Sequence, residues 1–500
     1  MKRFSRPPAA ALAILCLCLS KAAAQTFYWT GADGKETSAK ALELVPEWAR
    51  RDMRCESKVV EVMSGDFFEI EGGLRVRLIG VDAPRIDHAL KNEFIALSKA
   101  KLKELLNGGA VTLRFDEDTL ENDEDLLAYV VDSQGRSVNE EMIRSGWGQC
   151  AIKLPNAAKA DKFYAAQREA RAELAGLWQG PVIEMKRDTA QMRIGFSLGL
   201  YSQQDTHDYS SLLHEMKDVG CTHAMIITPW FLEDFEGVKI YRRTSRSAQL
   251  KTVEATCRKA RELGMKVMLM PIVLLANADK KHWRGNIEPK DLNDWFSSYN
   301  DFILPFADIA RRSGAESLVM GSEFSSLERY TDHWKSVVRN CRARFDGVLT
   351  YSANWDHLDV IKFWDDLDMI GMTGYHSLTK EMDPSVEAIT EKWIEVRAKL
   401  VADLEKRGRP YFFTELGYAS LDGINKDPWD YVSPVKTDLK EQADCYEAWF
   451  LTWEKQRQNF KGAYFYTWWR NDNEDDARGY TIYGKPAEDV LRKWLKKIQW

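Results

Sequence analysis

Residues 411–418 read YFFTELGY. An apolar run that stops at Thr414-Glu415, with Gly417 following, is the pattern of a parallel strand buried on both faces and ending at a carboxylate. A glutamate so placed stands at the mouth of a sheet and not in its middle. Chemistry in α/β folds gathers at the carboxyl ends of strands, because loops there vary without disturbing the core. A single strand-end glutamate serves equally well as a loop anchor, so its meaning depends on the surrounding segments.

Those segments repeat the pattern. Buried-strand runs occur at 194–200, 223–228, 266–273, 317–321, 347–352, 367–372 and 463–466, which makes eight with 411–414. Helical stretches lie between them. In one, Leu292, Trp295, Phe296, Tyr299, Phe302, Ile303 and Phe306 recur at spacings of three and four and form one apolar stripe. Gly220 and Gly264 end helices just before strands. Eight β/α units over 193–500 predict an α/β fold, the (β/α)8 or TIM barrel. The fourth strand, SLVMGSEF, ends at Glu323 and the seventh at Glu415. In a closed barrel both ends open on one face, so the two carboxyls can flank one substrate. Retaining glycosidases need such a pair about 5–5.5 Å apart, one to protonate the leaving oxygen and one to attack the anomeric carbon. The plain alternative is two unrelated solvated glutamates.

The motifs ARELGMKVMLMPIV, HWRGNI, GSEFSSLE, LTYSANWD, FWDDLDMIGMTGY, FFTELGY with LDGINKDPWDY, and GYTIYGKPAEDVLRKW resemble, in order, those of glycoside hydrolase family 113. That resemblance implies a β-mannanase-like enzyme with Glu323 as acid/base and Glu415 as nucleophile. It also implies that Tyr375 orients the nucleophile and that Trp468, or its neighbour Trp469, floors the cleavage subsite. Trp283-Arg284-Gly285, Asn354, Trp355 and Asp356, on loops of the same face, are candidate sugar contacts, although loop packing explains them equally well. One departure concerns the third strand, where relatives carry Lys-Pro-His and this chain has Met270-Pro271-Ile272. Losing two polar groups there bears on which sugar is accepted more than on the reaction.

Ahead of the barrel, apolar runs at 59–63, 67–70, 74–81, 111–115 and 127–131 alternate with turn signals such as Ser64-Gly65-Asp66. Five short strands with interleaved helices predict a small β-barrel of the OB-fold type over 57–177, joined by a linker at 178–192. The runs VVEVMSGDFFEI, VRLIGVDAPR, LLAYVV and SVNEEMIRSGWG resemble the staphylococcal nuclease family. The resemblance places that family's calcium-binding aspartates on Asp66 and Asp82 and a phosphate-holding arginine on Arg77. Its general-base glutamate falls on Arg85 and its second arginine on Asp125. A base has become a cation and a cation an acid, within a loop rich in Asp and Glu that repels a phosphate backbone. A spacer or binding module without nuclease activity is the expectation, with Asp66 and Asp82 kept as turn acceptors.

The 500 residues carry a net charge of −6, which gives no electrostatic reason for a nucleic-acid partner. Lys2, Arg3 and Arg6, an apolar run over 9–19 and Ala22-Ala23-Ala24 have the order of a cleavable signal peptide, 1–24. The expectation is a secreted or periplasmic protein with no membrane span. Cys55 with Cys150 is a candidate bridge, and buried thiols are the alternative for the other cysteines. No CxxC or HExxH occurs, so zinc has no support, and no cofactor is implied. The expected partner is a β-linked glycan. Two rivals are a carbohydrate-binding pseudoenzyme and a calcium-dependent nuclease with an accessory barrel.

Overall fold

A computed structural model describes residues 25–85, 92–121, 124–180, 183–201, 207–277, 283–456, 458–470 and 477–497. The expected signal peptide, 1–24, lies outside the described residues. The chain divides into two compact units, Met1–Val182 and Ile183–Trp500.

In the first unit, strands β1 (Phe27–Thr30), β2 (Glu36–Ala39), β3 (Arg54–Val62), β4 (Phe67–Ile70), β5 (Leu74–Leu78), β7 (Ala110–Arg114) and β9 (Asp125–Val131) share one sheet, with the short β8 (Leu120–Glu121) paired to β9. The order β3-β4-β5-β9-β7 closes on itself through β3–β7 pairing, so five strands form a small barrel. The β3–β4 hairpin turns at Ser64-Gly65-Asp66, where the Met63 and Ser64 amides both donate to the Phe67 carbonyl. Helices α1 (Asn92–Leu106), α2 (Val138–Arg144) and α3 (Ala160–Ala172) and a separate ribbon of β6 (Val81–Asp82) with β10 (Gln149–Cys150) complete the unit. The sheet starts at Phe27, well before residue 57, because β1 and β2 extend it at the β3 edge. Cys55 and Cys150 are separate buried thiols and not a bridge.

In the second unit, eight parallel strands close a barrel: β11 (Arg193–Gly199), β12 (His223–Leu232), β14 (Lys266–Leu275), β15 (Ser317–Ser322), β16 (Val348–Ala353), β17 (Ile370–Thr373), β18 (Tyr411–Leu416) and β19 (Phe460–Phe465). Pairing of β11 with both β19 and β12 completes the ring, and β13 (Ile240–Tyr241) adds an antiparallel strip to β12. Strands β15 to β19 are buried along their whole length, as strands covered on both faces must be. Met225, Ile227, Met268, Met270, Ile272, Val319, Phe412 and Tyr464 belong to one buried cluster fed by alternate residues of several strands.

Helices α4 (Ser210–Val219), α5 (Leu250–Glu262), α6 (Leu292–Ser313), α7 (Thr331–Arg344), α8 (Val386–Leu404), α9 (Leu439–Trp453) and α10 (Pro486–Lys497) alternate with the strands. The α6 stripe Trp295, Phe296, Tyr299, Phe302, Ile303 and Phe306 is buried, and Asp291 caps its first turn by accepting from the Asp294 amide. Gly220 ends α4 with φ of 109°, a left-handed conformation that a side chain would resist. Between β16 and β17 the connection holds only the 3-10 turn Trp364–Asp366 where a helix was expected. Among the described residues, no helix is long and apolar enough to cross a membrane.

Candidate active site

Glu323 follows β15 directly and adopts φ of 55°, which a non-glycine residue holds only where its surroundings fix it. Two bonds to β16 do so. The Glu323 amide donates to the Ser352 carbonyl (2.8 Å) and the Phe324 amide to the Tyr351 hydroxyl (3.0 Å). Tyr351 in turn donates to the fully buried Glu328 (3.1 Å), whose other oxygen meets His357 Nδ1 at 3.3 Å. Burial pushes the Glu328 carboxyl up to about 7. Thus the turn that aims Glu323 is braced from two sides.

Glu415 lies inside β18, paired in register with Thr373 of β17. Register shifts in the β15–β16, β17–β18 and β18–β19 pairings re-aim side chains where the strands approach the barrel mouth. The Tyr375 hydroxyl, just beyond β17, donates to Glu415 Oε2 at 3.3 Å. Burial, and then the nearby Glu323 carboxylate, raise Glu415 to about 7, against the opposing pull of Arg284 and the Tyr375 hydrogen bond.

Arg284 pairs with Glu323 and lies close enough to Glu415 for the two charges to act on each other. Its guanidinium donates to Glu323 Oε2, and the pair is largely withdrawn from water, with side-chain exposures of 15% and 10%. Burial works against the Arg284 charge, but Glu323 and then Glu415 outweigh it and hold the guanidinium charged. Its loop is tied to the Glu323 loop by the Ser326 amide, which donates to the Gly285 carbonyl (3.0 Å). The half-exposed Trp283 indole lies over Gly285, where a Cβ would stand 2.4 Å from the ring and oblige it to move.

The remaining candidates divide. Trp283 stands at the mouth beside Arg284, and Asn354 donates to Ser325 Oγ (3.0 Å), bracing the loop after Glu323. Trp355 packs on His376 with ring centroids 4.4 Å apart. Trp469 is half-buried near His207. Trp468 is fully buried, packed edge-on against Phe196, with its Nε1 donating to Glu215 of α4 at 3.2 Å. No face of Trp468 is open to a sugar, because β19 has ended at Phe465 and the chain turns to bond β11 through the Trp468 amide and Ser197 carbonyl.

Tyr466, one residue past β19, and Tyr201, two past β11, pack instead on the cluster containing Ile272 and share a hydrogen bond. Met270 and Ile272 of the third strand are both buried in that cluster. Sequence reading missed both tyrosines, although a place immediately after a barrel strand was the available signal. It also missed the ion pair of Arg284 with Glu323, which no spacing announces.

In the first unit, the Asp66 carboxylate is fully buried. It accepts from Arg77 (3.1 Å), Arg85 (3.2 Å) and Ser64 Oγ (2.7 Å). Arg77 also bonds Glu121, and Arg75 bonds Asp125 (2.6 Å) and Glu124 (2.7 Å). Asp82 is half-buried on β6. Calcium takes six to eight oxygen ligands. Here the best-placed carboxylate is already neutralised by two guanidinium groups, so these residues do not fit a calcium site.

The profile of Glycoside Hydrolase Family 113 matches residues 196–485. The chain belongs to glycoside hydrolase family 113. The barrel of this family 113 enzyme resembles the GH113 β-mannanase AaManA from Alicyclobacillus acidocaldarius, solved in complex with ManMIm. The identity is 26% over 62% of this chain and 98% of that one, with a TM-score of 0.54. A GH113 β-1,4-mannanase complex shares the fold at 23% identity and TM-score 0.55, covering 61% of this chain and 99% of that chain. The profile Staphylococcal nuclease homologue matches residues 75–180. Over 167 residues the family 113 chain is 26% identical to Endonuclease YhcR of Bacillus subtilis (strain 168), covering 30% of this chain but only 14% of that protein's length. It is 32% identical over 149 residues to the uncharacterized protein MJ1439 of Methanocaldococcus jannaschii, covering 24% of this chain and 70% of that protein.

Proposed function

We propose that this family 113 enzyme is an exported, retaining hydrolase of β-linked mannan or glucomannan. The observation that carries the reading is the buried Arg284–Glu323 ion pair within electrostatic reach of Glu415, with Tyr375 on the second carboxyl. The likeness to a β-mannanase of 26% identity supports the choice of polymer. Export rests on the basic, apolar and small-residue order of 1–24.

In the first step the Glu415 carboxylate attacks the anomeric carbon. The bond to the leaving oxygen breaks, and that oxygen takes the proton of Glu323. In the second step Glu323 takes a proton from water, the hydroxide displaces Glu415, and a sugar of unchanged configuration leaves. Arg284, paired with Glu323, stabilises the carboxylate that Glu323 becomes once its proton has passed to the leaving oxygen. Proton NMR of the first-formed product on konjac glucomannan or ivory-nut mannan tests this. A β-anomer is expected, and an α-anomer first, or no turnover on any β-linked glycan, sinks it.

The pH dependence has a definite sign. Glu415 must be ionised to attack, and its carboxyl in the free enzyme is raised to about 7, so kcat/KM falls as pH drops through that region. The Tyr375 hydrogen bond favours the ionised form. Tyr375→Phe is therefore expected to move the acid limb up by about half a unit to one unit, measured as kcat/KM across pH 4 to 9.

The nuclease-like unit is non-catalytic in this reading. Addition of millimolar calcium is expected to shift the melting temperature by less than about 1 °C and to produce no nicking of plasmid DNA, since a ligand stabilises only what binds it. A calcium-dependent rise in melting temperature or DNA cleavage that Asp66→Ala abolishes would overturn it.

A further inference from the structure

The aromatic side chains around Glu415 do not stop at the site. Beyond Tyr375, whose hydroxyl holds the nucleophile, the Tyr480 ring stands 6.1 Å away, and Tyr466 meets the same ring at 5.4 Å. Tyr480 in turn meets Tyr431 at 5.8 Å. Tyr431 is 60% exposed, and Trp429, two residues earlier, is 50% exposed. A row of rings thus runs from the catalytic carboxylate to solvent.

Single exposed apolar residues are ordinary. These two differ because their loop is fastened. Asp430 accepts from the Val432 and Ser433 amides, and its own amide donates to the Asp427 carbonyl. Arg478 donates to the Ser433 carbonyl (3.0 Å) and the Val435 carbonyl (2.8 Å). The Tyr480 hydroxyl donates to the Pro428 carbonyl at 2.7 Å, so the ring that supports Tyr431 also anchors its loop. The aromatic faces are therefore held in water before anything binds, which lowers the ordering cost of binding. A tyrosine face that is apolar in the middle and polar at its tip suits the C–H face of a pyranose, with hydroxyls at the ring edge.

We infer that Tyr431, backed by Tyr480 and flanked by Trp429, is a binding platform for a sugar residue of the glycan chain beyond the one attacked by Glu415. The ligand is a β-linked hexopyranosyl chain, and its continuity with the ring row at Glu415 selects it over a protein partner. This inference rests on the glycosidase reading above.

The test uses the full chain with Tyr431→Ala, Trp429→Ala and the ring-retaining Tyr431→Phe. Each is assayed on mannohexaose and cellohexaose and on the 4-nitrophenyl β-monosides of mannose and glucose. Tyr431→Ala is expected to lower kcat/KM on the hexasaccharide that is turned over about tenfold, mainly through KM, with Tyr431→Phe close to wild type. The monosides are too short to reach the platform and should be unaffected. Equal losses on long and short substrates, or no loss on the hexasaccharide, overturn the inference. Affinity electrophoresis in glucomannan separates it from the hydrolase reading. A wild-type chain that is retarded without turning over any substrate, with retardation lost in Tyr431→Ala, sinks the hydrolase and supports the platform. Wild-type retardation that persists in Tyr431→Ala, or is absent without any chain-length effect, overturns the platform.

Discussion

Replacing Glu415 with alanine is expected to lower kcat on β-mannan by on the order of 10⁴-fold, with azide restoring turnover by entering the space the carboxylate leaves. The rescued product should be a glycosyl azide of α configuration, because azide then attacks the face that Glu415 occupied. Glu323→Ala should give the opposite stereochemistry, a β-glycosyl azide, since there the glycosyl-enzyme still forms and azide takes the place of water. The pair of outcomes distinguishes the two glutamates, which a simple loss of activity does not. Activity within tenfold of wild type in Glu415→Ala would end the nucleophile assignment.

The second large effect belongs to Arg284. Arg284→Met leaves Glu323 without its paired cation and Glu415 without a nearby positive charge, and kcat/KM should fall by about 10²–10³-fold. Because Arg284 favours the ionised form of Glu415, its loss should also move the acid limb to higher pH, further than Tyr375→Phe does. Removing one partner of a buried pair costs about 3–5 kcal/mol when both carboxyls stay charged. Part of that cost vanishes if one of them takes up a proton, so the melting temperature of Arg284→Met should recover on acidification. An unchanged pH profile would show that Arg284 acts only as a scaffold.

Much of the barrel was legible because its strands are buried on both faces, so YFFTELGY or SLVMGSEF stands out as a continuous apolar run. Glu323, Glu415 and Tyr375 were singled out because each lies at or just past a strand end, and in the structure the Tyr375 hydroxyl bonds Glu415 while the Glu323 charge acts on it. What sequence concealed depends on loops that converge only in space. Arg284 lies 39 residues from Glu323, and the two loops are tied by Ser326, whose amide bonds the Gly285 carbonyl and whose hydroxyl donates to the Ile287 carbonyl. Trp468 was placed at the subsite floor by resemblance alone, and β19 ends at Phe465, three residues before it. The missing helix between β16 and β17 was hidden too: Trp364 and its neighbours are apolar enough to pack, but they form one short turn. Strands β1 and β2 were missed because the residues of β2 are mostly exposed and polar.

The six buried thiols have a consequence for how this protein ages. Among the described residues Cys55, Cys150, Cys221, Cys257, Cys341 and Cys445 are enclosed and none forms a disulfide, and burial raises Cys55, Cys257 and Cys341 to about 12, which keeps those three as unreactive thiols in the native state. The described residues therefore reach their native state without an oxidant. Unfolding, however, releases six thiols at ordinary reactivity, and in an oxidising compartment they can be captured as mixed or intermolecular disulfides. The native state is then guarded by the height of its unfolding barrier more than by its equilibrium stability. Each opening of the chain becomes a potential one-way event, and for the exported enzyme proposed above durability is a matter of rate.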